Sequence, residues 1–274
     1  MIKSAPLLQN LHTHSIYCDG KDTLEEMVEA AITLGFETIG FSSHSFTPFD
    51  ESYCMKDEQG YRAECEELKL RYKGRISIVC GIEQDYFSPL PAEPYDYIIG
   101  SVHYIKKSGE YIPVDESAEI LLKAAERHYN GNMVKLCRDY YRQVADVAEK
   151  TGCDIIGHFD LITKFSDRLP GLVDEADPCY TSAQDEAIER LVSLGKIFEV
   201  NTGAMARGYR TTPYPSKRVL EKIHSLGGRL ILSSDCHNSS QLDFGYEAAL
   251  ELIKSCGFKE IYCYKNGGFR PFPL

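Results

Sequence analysis

The sequence has no excess of positive charge, no Cys-x-x-Cys pair, no long apolar run and no internal repeat. Lysine and arginine number 30 against 41 acids, a formal net charge of −11. A nucleic-acid-binding surface needs a basic footprint, so this balance argues against one while leaving room for a small local basic pocket. The 10 cysteines are scattered, several of them inside predicted strands (Cys80, Cys263) or helices (Cys65, Cys137). They are expected to be reduced, mostly buried thiols of a cytoplasmic protein. No apolar run approaches membrane-spanning length, and Met1 to Pro6 has no apolar core of a secretory signal. Neither a membrane nor a nucleic acid is therefore expected as a partner, and oligomeric state is not legible. The 274 residues are 43% hydrophobic and 26% charged, ordinary for a soluble globular enzyme. That length can bury a sizeable core.

Strand and helix segments alternate along the chain. Leu7 to His14 is a predicted strand, followed by a turn at Asp19-Gly20-Lys21 and a capping box at Thr23-Leu24-Glu25-Glu26. The helix that follows carries apolar Leu24, Met27, Val28, Ala31 and Leu34 at helical spacing and ends at Gly35. Further strands are predicted to end at His44, Glu83, His103, His158, Asn201 and Asp235, with a short one at Glu260 to Tyr264. Helices are expected at about Glu58 to Tyr72, Ser182 to Leu194 and Gly245 to Cys256. Pro215-Ser216 is expected to open another, with proline in its first turn. Residues 106–152 read as a long, polar, mainly helical insertion in a single domain spanning 1–274.

His12, His14, His44, Glu83, His103, His158, Asp235 and His237 all fall at or just past the carboxyl end of a predicted strand. In His12-Thr13-His14 and Asp235-Cys236-His237 the side chains two apart share one strand face. Near-continuous apolar strands alternating with helices predict a parallel (β/α) barrel of seven or eight strands, whose carboxyl ends share one face. A doubly wound sheet, the alternative, would spread these residues along a line. Imidazole and carboxylate ligands without cysteine suit an open, catalytic type of metal site. The remaining histidines, His128 and His224, lie on predicted helices and are expected at surfaces or helix ends.

The ordered set His12-Thr13-His14, Ser43-His44-Ser45, Gly81-Ile82-Glu83, Ser101-Val102-His103, Gly157-His158-Phe159-Asp160, Asn201-Thr202-Gly203 and Ser234-Asp235-Cys236-His237 resembles the motifs of the PHP (polymerase and histidinol phosphatase) superfamily over nearly the whole chain. Tyr17-Cys18-Asp19-Gly20, the aromatic loop after His44, Tyr214-Pro215-Ser216 and Tyr264-Lys265-Asn266-Gly267 resemble its monofunctional histidinol-phosphatase branch. Cys236 stands where that pattern usually has Ala, on a side chain expected to point away from the metals. The resemblance implies a distorted (β/α)7 barrel holding two or three divalent metal ions (Zn, Fe or Mn) at the carboxyl ends of its strands. It implies a first metal on His12, His14, Glu83 and Asp235, a second on bridging Glu83 with His103 and His158, and a third on Asp19, His44 and His237.

A phosphate also needs cationic donors. Arg207 follows the sixth strand, Arg210 is three residues on, and Lys164 lies beyond the fifth strand; the fork of arginine suits phosphate oxygens. Asp160 is either a partner orienting a ligand histidine or a proton shuttle; Asp19 and His237 are the other catalytic candidates. The activity implied is hydrolysis of the small phosphate ester L-histidinol phosphate in histidine biosynthesis. Asp50 and Glu51, in the loop with Phe46, Phe49 and Tyr53, would meet its cationic end. Another phosphatase or nuclease on the same barrel is the enzymatic alternative, but a nuclease should show a basic stripe beside the site. A non-catalytic metal-binding module should lack ligands, yet all positions are filled.

Overall fold

Seven short parallel strands form one ring, and their order follows the chain. The computed structural model describes residues 9–274. In sequence the elements are β1 (Gln9–Asn10), α1 (Leu24–Leu34), β2 (Thr38–Phe41), α2 (Glu58–Arg71), β3 (Ser77–Asp85), β4 (Tyr97–Ser101), β5 (Tyr104–Lys107), β6 (Glu110–Pro113), α3 (Ala118–Tyr129), α4 (Met133–Thr151), β7 (Ile155–Ile156), α5 (Pro178–Ser193), β8 (Ile197–Asn201), α6 (Gly203–Ala206), α7 (Lys217–Ser225), β9 (Arg229–Ser233), α8 (Tyr246–Ser255), β10 (Glu260–Tyr264) and β11 (Phe269–Pro273). The main sheet has the order β1-β2-β3-β4-β7-β8-β9, all parallel. A parallel bridge between Thr13 and Cys236, with the His14 N–H donating to the Cys236 carbonyl at 2.9 Å, joins the two ends of that order. The result is the nearly closed, distorted (β/α)7 barrel expected from the sequence, and not an open doubly wound sheet. Part of the distortion lies between β3 and β4, which residues 86–96 connect without a helix.

The local signals explain most of the boundaries. Thr23 caps α1 in a reciprocal box with Glu26, and Gly35 closes the helix at φ 84°, a conformation open to glycine. Two helix starts differ from expectation. α5 begins a turn early because Asp177 caps it and Pro178 takes the first position. α7 begins at Lys217 with Ser216 as its cap, so Pro215 precedes the helix instead of lying in its first turn. The segment 106–152 opens on the antiparallel β5–β6 hairpin, and α4 packs on β4 and α5. The Glu260 to Tyr264 strand pairs with β11, which the sequence pattern did not reveal. Leu7 and Leu8, the start of the first predicted strand, lie outside the described residues.

The barrel interior has an apolar lower half and a polar upper half. Leu11, Val79, Tyr97, Ile99, Ile155, Ile197 and Ile231 form a cluster distinct from the larger core, with Tyr262, Tyr264 and Phe269 of the β10–β11 hairpin packed against it. The side-chain amide of Gln9 pins that hairpin, donating to the Tyr262 carbonyl at 3.1 Å and accepting from the Tyr264 N–H at 2.9 Å. Because strands alternate with period two, the residues above this floor face the same way. Val79 leads to Gly81, Glu83 and Asp85; Tyr97 and Ile99 lead to Ser101 and His103; Ile197 leads to Glu199 and Asn201; Ile231 leads to Ser233 and Asp235.

Tyr97 spans the interior. Its ring occupies the space that a Cβ on Gly81 would need, and its hydroxyl lies where a Cβ on Gly40 would sit. That hydroxyl reaches the carbonyls of Leu11 and Phe41, on two strands below the histidines. Tyr97→Phe is therefore expected to lower the unfolding free energy by about 1–3 kcal/mol, since it leaves buried carbonyls without their donor. Urea denaturation at constant m-value measures this; a loss below about 0.5 kcal/mol would mean those carbonyls do not depend on the hydroxyl.

Candidate metal centre

Glu83 stands at the middle of a ring of imidazoles. Its Oε2 lies 3.2 Å from His12 Nε2, 3.5 Å from His14 Nε2 and 2.9 Å from His44 Nδ1. Its Oε1 lies 2.9 Å from His158 Nε2 and 3.4 Å from His103 Nε2, and accepts from the Ser101 hydroxyl at 2.6 Å. Asp235 Oδ1 approaches His14 Nε2 at 3.2 Å and His237 Nδ1 at 3.7 Å. Asp19 lies 3.6 Å from His44 and 3.3 Å from His237. The main chain at Asp235 is left-handed, φ 48°, which a non-glycine residue seldom adopts. This turn presents its carboxylate to the histidines while its carbonyl accepts from Arg207 Nη1 at 2.9 Å.

Potential ligand atoms converge in four overlapping groups: His14, Asp19, His44 and His237; His12, His158 and Asp235; His12, His14 and Glu83; and His44, Glu83 and His103. Asp19, His44 and His237 come together with His14 added, whereas His158 groups with His12 and Asp235 and His103 with His44 and Glu83, so the groups cut across the three sets implied by the resemblance. The donor atoms themselves call for a cation. His12 Nε2, His14 Nε2 and Glu83 Oε2 are buried, and no hydrogen bond from the described residues reaches any of them. Buried polar atoms without partners are costly, and an ion bound by nitrogen and carboxylate oxygen would satisfy all three.

Charge is concentrated in the ring: burial lowers His12, His44 and His103, but the carboxylates beside them, Glu83 and Glu199 foremost, outweigh it and raise all three. Burial pushes the Glu83 carboxyl up, but His12, His44 and His103 outweigh it and hold the group well below the usual carboxylate range. Asp235 behaves likewise, with Arg207 the leading charge against the burial penalty. Burial, reinforced by His237 and His44, depresses His14 to about 3, so that imidazole is neutral and free to act as a ligand.

Behind this ring lie carboxylates that the sequence reading did not single out. Glu199 Oε1 is 2.6 Å from His12 Nδ1, and Asp85 Oδ2 is 3.2 Å from His103 Nδ1. Their signal was period-two spacing: Asp85 follows Glu83, and Glu199 precedes Asn201, each by two residues on one strand.

Above the ring opens a cleft of about 360 Å³. Asp19, His44, Glu83, His103, His158, Asp235 and His237 reach it from below, while Arg207 and Lys164 stand in its wall. Arg207 Nη2 pairs with Asp235 at 3.0 Å and Nη1 lies 3.2 Å from His237 Nδ1. That leaves Nε and further Nη2 capacity. Lys164 donates to the Asp115 carbonyl at 2.7 Å and to its carboxylate at 3.1 Å. Asp50, Asp115 and Glu116 also line the cleft, as do Tyr53 and Tyr104. Asp50 is held by the Tyr104 hydroxyl at 2.6 Å, and Phe49 stacks on Tyr111 of the β5–β6 hairpin at 3.8 Å, tying the loop after β2 over the site.

Three expected residues are placed elsewhere. Arg210 is buried outside the cleft lining, with its guanidinium on the Thr163 hydroxyl and carbonyl. Asp160 is fully buried and accepts the Ser216 N–H at 2.8 Å; no ligand histidine bonds to it, so its contact is with the start of α7. Glu51 points away from the cleft, with its carboxylate 3.9 Å from Lys56. Cys236 is buried next to the Asn10 amide, away from the ligands as expected. His128 ends α3 against Glu110, and His224 lies in the last turn of α7 against the Phe258 ring.

A barrel whose strand ends gather histidines and carboxylates below a cleft with cationic groups in its wall defines a metal-binding hydrolase of the multinuclear kind. More narrowly, the chain belongs to the PHP domain family, whose profile matches residues 10–203. It is 30% identical over 282 residues to a probable histidinol-phosphatase of Schizosaccharomyces pombe, covering 93% of this chain and 89% of that one. It is 27% identical to the histidinol-phosphatase of Bacillus subtilis, covering 88% and 97%. Its fold is that of the Lactococcus lactis histidinol phosphate phosphatase crystallised with zinc, L-histidinol and phosphate, with a TM-score of 0.74 at 22% identity, covering 96% of this chain and 99% of that one.

The unpartnered donor atoms and four overlapping groups exceed what one ion can use. The purified chain is expected to bind more than one equivalent of transition metal, as read by elemental analysis after buffer exchange. A folded, fully active chain carrying at most one equivalent would contradict a multinuclear centre.

Proposed function

We propose that the chain is a metal-dependent phosphomonoesterase that hydrolyses L-histidinol phosphate to L-histidinol and phosphate, a step of histidine biosynthesis. The observation that carries this reading is one cleft lined by the ligand ring, by Arg207 and Lys164, and by Asp50 and Glu116 beside Tyr53 and Tyr104. A phosphomonoester bearing an ammonium and an imidazole matches that combination of cationic, acidic and aromatic groups. The full-length similarity to histidinol-phosphatases supports the same substrate. No described helix is long and apolar enough to cross a membrane.

His12, His14, Glu83 and Asp235 would hold one divalent ion, Glu83 with His103 and His158 a second, and Asp19, His44 and His237 a third. Bound there, such ions supply Lewis-acid charge to the phosphoryl oxygens and a nucleophile at neutral pH. Zinc is the ion of the Lactococcus lactis complex, and nitrogen–oxygen ligation also accepts iron or manganese. The remaining work falls to the chain's own groups. Arg207 directs its free N–H groups at the phosphate, and Lys164, paired with Asp115, adds a point charge. Asp19 and His237, the most exposed of the ligand set at 34% and 22%, meet the ester and relay the proton that the departing alcohol oxygen takes up as the P–O bond breaks. Asp50 accepts the substrate's cationic end, and Tyr53 and Tyr104 exclude water from the imidazole. Asp160 and Arg210 keep the surrounding loops in place without contacting substrate.

Glu83→Gln should abolish turnover of histidinol phosphate, because it removes the carboxylate common to two metal sites. His128→Ala and His224→Ala should retain it. Steady-state phosphate release checks all three, and wild-type-like activity in the Glu83 variant would sink the assignment.

Substrate choice is tested separately. Histidinol phosphate should exceed p-nitrophenyl phosphate by at least ~100-fold in kcat/KM, about 2.7 kcal/mol of differential transition-state binding. Arg207→Ala should depress both substrates. Asp50→Asn should depress mainly the natural one, and Glu51→Gln, outside the cleft, neither. Equal losses on both esters from the Asp50 variant would show that the loop supports the metal site generally. A preference for a nucleotide would favour a different phosphatase.

A further inference from the structure

Glu199 is fully buried in β8, is no part of the expected ligand set, and has no direct path to substrate. Three donors converge on it. Its Oε1 faces His12 Nδ1 at 2.6 Å. Its Oε2 accepts the main-chain N–H of His158 at 2.9 Å and the Asn201 side-chain amide at 2.9 Å. The same Asn201 amide reaches Asp235 Oδ2 at 3.3 Å, while its oxygen accepts the Gly203 N–H at 2.9 Å, which fixes its orientation. Since His12 Nε2 is the unpartnered atom aimed into the ring, Nδ1 carries the proton. Both oxygens of Glu199 therefore meet only N–H groups. An ionised carboxylate accepts at both oxygens; an amide of the same shape would turn an NH2 toward a donor.

We propose that Glu199 is a positioning residue shared by two metal sites, setting the His12 tautomer for one ion and the His158 backbone for the other. This rests on reading the ring as a multinuclear centre. Asp85 supplies the contrast. Its carboxylate serves His103 alone among the ligands, at Nδ1 and at the main-chain N–H, 3.2 and 3.3 Å away. A carboxylate behind a ligand histidine contributes about 10–100-fold to metal affinity. Loss of Asp85 should then be felt at one ion, and loss of Glu199 at two.

The test uses the full chain, stripped of metal and titrated with zinc against a chromophoric chelator, so that stoichiometry and affinity are read without turnover. Wild type should hold at least two tight equivalents. Glu199→Gln should weaken two equivalents by about 10–100-fold, and Asp85→Asn only one. If circular dichroism shows that Glu199→Gln does not fold, Glu199→Asp takes its place: it keeps the charge but is too short to hold both contacts, and two equivalents should again weaken. A zinc curve unchanged from wild type, or weakening confined to one equivalent, overturns the shared role. Absence of tight zinc binding in wild type would instead remove the metal reading on which the proposal stands.

Discussion

One carboxylate holds the upper barrel together. Glu83 meets imidazoles from β1, β2, β4 and β7 or the residues just after them, all within 3.5 Å. Its buried charge is tolerable because five potential cation or ligand partners surround it, and theirs because they surround Glu83. Those side chains arrive together only if four strands end at one level, so the constraint on the charge is also a constraint on the sheet. The apolar floor beneath sets that level: Tyr97 touches the carbonyls of Leu11 and Phe41, one residue before His12 and Ser42.

The site is layered by chemistry. Glu199 stands behind His12 and the His158 main chain, Asp85 behind His103, and neither touches anything else of the reaction. Next are the imidazoles and carboxylates that share the interior with them. Highest are Arg207, Lys164, Asp50 and Asp115, which line the cleft together with Asp19 and His237. This order places strong, inflexible interactions where geometry matters most and leaves discrimination to loops. The loop after β2 and the β5–β6 hairpin, tied by the Phe49–Tyr111 stack, form the part of the wall best able to vary without disturbing the ligands.

Much of this was legible in the chain. Period two made His12 with His14, and Asp235 with His237, share a target, and the recurrence of His or an acid at strand ends pointed to a parallel barrel. The limits have physical causes. Asp160 and Arg210 sit in sequence beside ligand and phosphate candidates, yet short turns after β7 and α6 carry them into the wall, where one meets the start of α7 and the other Thr163. Linear adjacency does not survive such a turn. Glu199 and Asp115 escaped for the opposite reason: their importance comes from partners 187 and 49 positions away, and only the period-two spacing of Glu199 from Asn201 hints at either. The β10–β11 hairpin escaped because its value lies in plugging the barrel, a role visible only once the barrel exists.

The barrel closes where its ligands lie. Thr13 and Cys236 form the closing bridge, each flanked on both sides by ligand candidates, and Asn10 and Ser234 bond across the same seam although 224 positions separate them. A chain still emerging from the ribosome, with β9 unsynthesised, has His12 and His14 but no Asp235 or His237 to face them. The complete set of donors is thus reserved for chains that have made both ends, and a cation held by both would act as a latch across the seam. Depletion of that cation would loosen the ring at the one joint where its first and last strands meet.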